Sequence, residues 1–529
     1  MKKMNFITQN YKSFLIVILF FISCGKSKSS SIEKKYMPTE SSLSKHNASP
    51  DWFRNAKLGI YFTWGPYTVA ANTNEWYPRW MHFGIDSIEW NGKKPGYHIN
   101  RLDWHTRKFG HPSKFGYHDM IKEFTAEKFN ADEWAKLFQK SGAKFAGPVA
   151  MHHDGYALWG SKLTPWNSVD IGPNRDITGE LFAALRKRDM KVITTFHHAR
   201  HLQRYKGKNL QEATQRYGHL DSYHMFWNSH YPWIPGLPTS SEDPKLRILY
   251  GNIPEKEWLN FFWLGVLKEV IDKYQPDMIW FDTWLDLIPE KQRFEFASYY
   301  LNKAETWGKE VMMTHKNEDM PHTFSTEDFE QGRRDKLTGA PWLTDDTISK
   351  FSWSYIDGLS VKPAEWVIHD FIDIVSKNGQ LLLNISPKFD GSIPDDQKAV
   401  LMELGSWLKV NGEAIYNTRP WKIYGEGPSK MKNSGHFTEH IDYTSNDIRF
   451  TKKKEAIYAI SLGTPKEELN IIALAKNNSL ELPDIKSVIS LNGDHIKSWN
   501  QDDEGLKIEL NKNAPNQIAY AFKITTAKE

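Results

Sequence analysis

Four times along this chain an amphipathic helix pattern runs into a short apolar strand, and each strand ends in residues that can do chemistry. The clearest case is a helix pattern over 258–274, then Gln275-Pro276, then Asp277-Met278-Ile279-Trp280-Phe281-Asp282. The others end at His152-His153-Asp154, at His197-His198 and at His315-Lys316. Helices alternating with short apolar strands predict parallel β/α architecture. In a β/α barrel the reactive groups sit at the carboxyl ends of the strands. On that ground alone Asp282 is a candidate catalytic carboxylate in a pocket.

The pattern places strands at 58–64, 145–151, 191–196, 277–282, 310–314 and 380–385, which is fewer than a closed eight-stranded barrel needs. Helices are expected over 131–140, with Asn130 as N-cap, and over 178–189, 291–306 and 363–377. The stretches 65–116 and 200–254 read as long loops on the top face. Beyond about residue 421 the pattern changes to short alternating segments separated by turn residues, as in Ala456-Ile457-Tyr458-Ala459-Ile460. Such segments predict a small antiparallel sandwich. The expected organisation is a leader over 1–24, a flexible tether over 25–49, a (β/α)8-like TIM barrel over 50–420 and a β-sandwich over 421–529.

A net charge of +4 over 529 residues gives no reason to expect a nucleic-acid partner. The aromatic content of 14%, with 22 Trp, exceeds what a core alone needs. Trp and Tyr present flat, partly apolar faces with a polar edge, which suit sugar rings. The single cysteine, Cys24, follows a basic leader and an apolar run at 14–22 that is too short for an ordinary membrane span. Ile22-Ser23-Cys24-Gly25 resembles a bacterial lipobox, which implies export and lipidation at Cys24, with the mature protein held at a membrane facing the periplasm or the cell surface. A plain secretory leader with an incidental cysteine is the alternative.

Several longer motifs, in order, resemble the α-L-fucosidases of glycoside hydrolase family 29. They include Trp52-Phe53-Arg54-Asn55-Ala56-Lys57, Glu75-Trp76-Tyr77, His152-His153-Asp154-Gly155, Trp166-Asn167-Ser168-Val169, Ser376-Lys377-Asn378-Gly379-Gln380 and Asn411-Gly412-Glu413-Ala414-Ile415-Tyr416. The resemblance spans about 50–424 and implies a barrel followed by a sandwich. It also implies exo-acting hydrolysis with retention and no cofactor. It assigns Asp282 as nucleophile. Phe324-Ser325-Thr326-Glu327-Asp328-Phe329-Glu330 resembles the family's acid/base loop, with Glu327 aligned best and Glu330 as the runner-up. Glu75, Trp76, His152 and His153 are implied to contact the sugar, with Trp280 and Trp353 walling the pocket. Metal ligation by His152, His153 and Asp154 is disfavoured, because adjacent side chains on a strand point to opposite faces.

Three positions depart from the family pattern. Thr63 stands where many relatives carry a sugar-contacting histidine, Thr195 replaces a pocket tyrosine, and Lys316 corresponds loosely to an arginine that assists the nucleophile. The segment from His197 to His201 is unusually basic. An L-galactosyl or sulfated fucosyl substrate is therefore an alternative to a fucosylated oligosaccharide, with a solvent-facing basic run as the plain reading. A catalytically inactive carbohydrate-binding lipoprotein is the alternative from another class.

Overall fold

The computed structural model describes residues 35–83, 101–204, 229–466, 468–477, 480 and 484–527. The leader and Cys24 lie outside the described residues. Eight parallel strands close in sequence order into a barrel: β1 (Leu58–Phe62), β2 (Phe145–Met151), β3 (Lys191–Phe196), β4 (Met278–Phe281), β5 (Met312–His315), β6 (Thr326–Glu330), β7 (Trp342–Thr347) and β8 (Gly379–Ile385). β8 returns to β1 through Leu58↔Leu381 to Phe62↔Ile385. The expected barrel is confirmed, and β2 and β3 have the bounds read from the sequence.

Two strands escaped the sequence reading. The stretch expected to be an acid/base loop contains β6, and the acidic pair Asp345-Asp346 masks β7. Both carry carboxylates into the barrel, where strands normally present Val, Ile or Leu.

The helices that cover the strands follow their periodicity. α1 (Ala131–Lys140) starts at Asn130, whose side chain accepts from the backbone N–H of Asp132 and Glu133. α2 (Ile177–Arg186) precedes β3, and α3 (Leu264–Tyr274) feeds β4. The expected helix over 258–274 is not uniform: its first turns, Trp258–Trp263, are widened to a π-helix. Gln275, in the left-handed region at φ 51°, stops α3 and turns the chain into β4. α4 (Glu290–Trp307), α5 (Ala364–Ser376) and α6 (Asp395–Asn411) complete the described coat.

The second half of the expected tether is corrected. Tyr36 and Leu43 are buried. Ser298 Oγ and Asn302 Nδ2 on α4 donate to the Tyr36 carbonyl, each at 2.7 Å. Two apolar anchors and their hydrogen bonds override a Ser- and Lys-rich composition.

The C-terminal strands are antiparallel, as expected. β9 (Arg419–Glu426), β10 (Ile448–Lys453), β11 (Ala456–Ser461), β16 (Tyr520–Thr526) and β13 (Ile485–Ser490) form one sheet. β12 (Glu468–Ile471), β15 (Leu506–Leu510) and β14 (Ile496–Gln501) form the other. Their inner residues, among them Trp421, Phe450, Ile508 and Phe522, make a separate core. A buried ion cluster joins this unit to the barrel coat. Asp373 of α5 accepts from Lys377 at 2.7 Å and from Arg449 of β10 at 2.6 Å.

Candidate active site

The interior of the barrel has two layers. The lower one is apolar, with Phe145, Met278, Met312, Leu343 and Leu382 in one buried cluster. Two residues further along β7 the same inward face carries Asp345. Its neighbours are Tyr61, whose hydroxyl donates to Asp345 Oδ2 at 3.0 Å, and Lys316, whose Nζ is 3.0 Å from Asp345 Oδ1. Lys316 follows β5, is fully buried, and touches three more carboxylates: Asp282 at 3.5 Å, Asp328 at 3.6 Å and Glu330 at 3.3 Å. Burial would lower its pKa, but these four acids hold the ammonium well above its ordinary value.

Asp282 follows β4 and is 16% exposed at the floor of the site. Its Oδ2 lies 3.3 Å from His153 Nε2 and 3.3 Å from His197 Nδ1. Burial alone would raise its pKa. His197, the hydrogen bond from His153, and Lys316 outweigh that and hold the carboxyl well below the usual range. Glu330 shows the opposite balance: burial, with the charges of Asp282 and Asp345, pushes its carboxyl up to about 7 against the pull of Lys316. Two acids in one site, one kept ionised and one kept protonated near neutrality, have the environments that a nucleophile and a proton donor require.

Their spacing fits the same reading. Lys316 Nζ touches Asp282 Oδ1 at 3.5 Å and Glu330 Oε2 at 3.3 Å. The two oxygens are therefore no further apart than those contacts laid end to end. That limit admits the roughly 5–5.5 Å of a retaining pair.

Glu327 does not belong to this pair. It lies three residues before Glu330 on a strand whose side chains alternate, so it faces outward. There it pairs with Arg334 and lines a separate cavity with Asn47, Arg54 and Trp342. Of the two candidates it is the runner-up, Glu330, and not the preferred Glu327, that the structure places beside Lys316 and Asp282. The sequence contains the cue, since Asp328 and Glu330 share an alternate face once the segment is a strand.

The histidines converge because His152 and His153 lie in the turn after β2, where strand alternation no longer applies. Asp154 fixes that turn, accepting from Tyr117 Oη at 2.6 Å and from Tyr156 N at 3.2 Å. Gly155, at φ +75°, leaves room for His201, whose ring would meet a Cβ at 2.4 Å. One nitrogen from each of His152, His153 and His197 lies within 4.8 Å of the others, a spacing that a cation could bridge. The alternation argument against convergence therefore fails. Burial holds the pKa of His153 down at about 4. A neutral His153 donates through Nε2–H to Asp282 and leaves buried Nδ1 as an acceptor. His197, donating through Nδ1, leaves Nε2 facing inward without a protein partner.

The remaining expected residues sort by what they touch. The Trp76 ring lies 4.7 Å from that of His153. Glu75 is buried, with one unpartnered carboxyl oxygen and a pKa pushed up by burial to about 7. Trp280 lies inside the barrel beneath the site, its ring 4.7 Å from Lys316 Nζ and 5.1 Å from His197. The Trp353 ring packs 6.2 Å from Tyr61, and its carbonyl accepts from Asn384 and Ser386. Thr63 is tied down, donating its hydroxyl to Asn384 Oδ1 at 2.9 Å. Thr195 is fully buried, and its hydroxyl has no protein partner.

The basic segment is not solvent-facing. His198 and His201 bond the carbonyls of Trp263 and Leu249, while Arg200 lies between the rings of Trp76 and Trp284 at 4.9 and 4.0 Å. Sequence reading missed His230, a buried imidazole 5.2 Å from Trp76 and 5.7 Å from His153. It missed Tyr61, Asp328 and Asp345 as well, since only closure of the barrel brings them to Lys316.

A carboxylate pair at the carboxyl ends of barrel strands, ringed by buried imidazole and indole groups, defines a glycoside hydrolase. The chain belongs to the α-L-fucosidase family, which matches residues 23–413, and the α-L-fucosidase C-terminal domain matches residues 437–525. It is similar to human tissue α-L-fucosidase, with 28% identity over 97% of both chains. It is also similar to human plasma α-L-fucosidase, with 29% identity over 82% of this chain and 79% of that one. Among solved structures, the α-fucosidase of Thermotoga maritima in complex with fucose superposes with a TM-score of 0.66 and 28% identity, over 92% of this chain and 99% of that one.

Proposed function

We propose that this enzyme removes terminal α-L-fucosyl units from glycans with retention of configuration. Asp282 attacks the anomeric carbon as its carboxylate, and Glu330 donates the proton that the departing glycosidic oxygen takes up. Glu330, now ionised, then removes a proton from the water that releases the sugar from Asp282. Lys316 contacts both acids and helps to keep Asp282 ionised. The neutral imidazoles of His152 and His153, together with His197 and Glu75, offer hydroxyl partners, and Trp76 offers a ring face. A recessed floor ringed by these groups favours a chain end over an internal unit.

The observation that carries this reading is the pair Asp282 and Glu330, held by one lysine and driven to opposite protonation states. The same pair argues against a binding-only protein. The test is the first-formed anomer by proton NMR: α-L-fucose supports retention, and initial β-L-fucose overturns it.

The buried, unpartnered hydroxyl of Thr195 and the placement of Arg200 favour a second reading, in which the site takes an L-galactosyl or sulfated fucosyl unit. Comparing aryl α-L-fucoside with α-L-galactoside and a sulfated glycan separates them, and a clear preference for unsulfated fucoside ends that reading. Export and lipid anchoring at Cys24 are proposed from the lipobox resemblance. Acyl labelling that survives Cys24→Ser would contradict the anchor.

A further inference from the structure

β5 pairs with β6 only at Thr314↔Thr326 and His315↔Glu327. Beyond that point the free edge of β6 is taken by a segment from the long connection between β9 and β10. The Glu330 N–H donates to His436 Nδ1 at 2.9 Å, and the Glu330 carbonyl accepts from Phe437 N at 2.8 Å. Thr438 N donates to the Gln331 carbonyl at 3.0 Å, and Arg333 and Gly435 exchange backbone bonds at 3.2 and 3.1 Å. Two glycines permit the approach: a Cβ on Gly332 would lie 2.0 Å from the Gly435 carbonyl oxygen. The C-terminal unit thus supplies both backbone partners of the proton donor.

That segment exposes an aromatic residue beside the Glu330 backbone. Phe437 is 64% exposed and sits in the left-handed region at φ 52°. A bulky side chain there is uncommon and strained. The ring of its neighbour His436 packs at 5.5 Å on Phe329, which anchors the turn. One residue past Glu330 a cleft of about 150 Å³ begins, lined by Gln331, Thr438, His440 and Trp366 among others. Its cations are matched by acids: Arg333 pairs with Asp370, and Lys362 with Asp346 at 2.8 Å.

We infer that the 435–438 segment forms the leaving-group subsite, with Phe437 as the stacking platform for the first sugar released and the charge-matched cleft receiving the next unit of a neutral glycan. The inference rests on Glu330 being the proton donor, because the leaving oxygen must lie against that carboxyl. A pyranose ring bound there reaches Phe437, whose N–H caps the Glu330 carbonyl. The enzyme then selects its substrates by the sugar it releases them from, through a loop that belongs to the C-terminal unit.

The test compares kcat/KM for a panel of α-fucosyl disaccharides of different linkage with kcat/KM for α-L-fucosyl fluoride, whose leaving group cannot reach Phe437. Phe437→Ala should lower the ratio for the best disaccharide by about tenfold, and Phe437→Trp should restore it. A ratio that Phe437→Ala leaves unchanged, whether both substrates fall together or neither falls, overturns the subsite. Glu330→Gln separates this failure from that of the underlying reading. Disaccharide turnover that survives Glu330→Gln removes the proton donor, whereas its loss alongside an unchanged Phe437→Ala ratio removes only the subsite.

Discussion

The lower and upper halves of the barrel interior are built on the same strands and do opposite work. Below, Phe145, Met278, Met312, Leu343 and Leu382 fill the barrel with apolar side chains. Above, the inward positions of β6 and β7 hold Asp328, Glu330 and Asp345 around one buried lysine. An apolar layer gains free energy from burial. Buried charges are stabilised only by one another and are costly once a partner is lost. The upper layer is therefore where the fold gives up stability for chemistry, and substitutions in the two layers should separate folding from turnover.

The largest effect is expected at Asp282. Asp282→Asn removes the nucleophile while keeping the shape, and kcat should fall by about 10⁴-fold or more in steady-state assays, with the melting temperature nearly unchanged. Next is Glu330→Gln, which should cost about 10²–10⁴-fold on substrates with sugar leaving groups. It should cost far less in the first turnover of α-L-fucosyl fluoride, whose departure needs no proton. The pH profile carries the sign. Glu330 donates only while protonated, so kcat/KM should fall as pH rises through about 7. The Glu330→Gln variant should lack that alkaline limb.

Lys316→Met sharpens the contrast from the stability side. It strips the shared cation from Asp282, Asp328, Glu330 and Asp345 and should destabilise the fold by about 3–5 kcal/mol, measured by denaturant unfolding. Leu343→Ala in the lower layer should cost a comparable 2–5 kcal/mol, yet leave kcat of the folded fraction within a few-fold of the parent. Equal losses of kcat in both variants would erase the distinction between the layers.

The ion cluster between the barrel and the C-terminal unit has its own pH signature. Burial pushes Asp373 up, but Lys377, Arg449 and Arg333 together hold it well below the ordinary carboxylate value. A depressed acid stabilises the fold above its unfolded pKa of about 3.9 and loses that contribution as pH falls through the folded value. The junction should therefore hold through mildly acidic pH and weaken only in strong acid. Asp373→Asn should remove this acid dependence from the unfolding curve.

Legibility in the sequence followed the same division. Elements whose pattern is apolar periodicity were readable, including β2, β3, α1 with its Asn130 cap and the alternating C-terminal strands. So was Asp282, because a carboxylate after an apolar strand stands out. β6 and β7 were hidden by the charges that make the upper layer, since Thr-Glu-Asp-Phe-Glu and Thr-Asp-Asp-Thr read locally as turns. The choice between Glu327 and Glu330 needed the strand, because alternation alone sends one outward and the other inward. The convergence of His152, His153 and His197, and the approach of His436 from the C-terminal unit, depend on turns and tertiary closure that no local pattern records.

The central claim is that Asp282 and Glu330, and not Glu327, form the catalytic pair. The most direct measurement is azide rescue of Glu330→Ala beside Glu327→Ala, using an aryl α-L-fucoside that forms the Asp282 intermediate without proton donation. The account predicts that Glu330→Ala is slow without azide and is restored by it, giving α-L-fucosyl azide, while Glu327→Ala stays within a few-fold of the parent. Rescue confined to Glu327→Ala, with Glu330→Ala fully active, would contradict it.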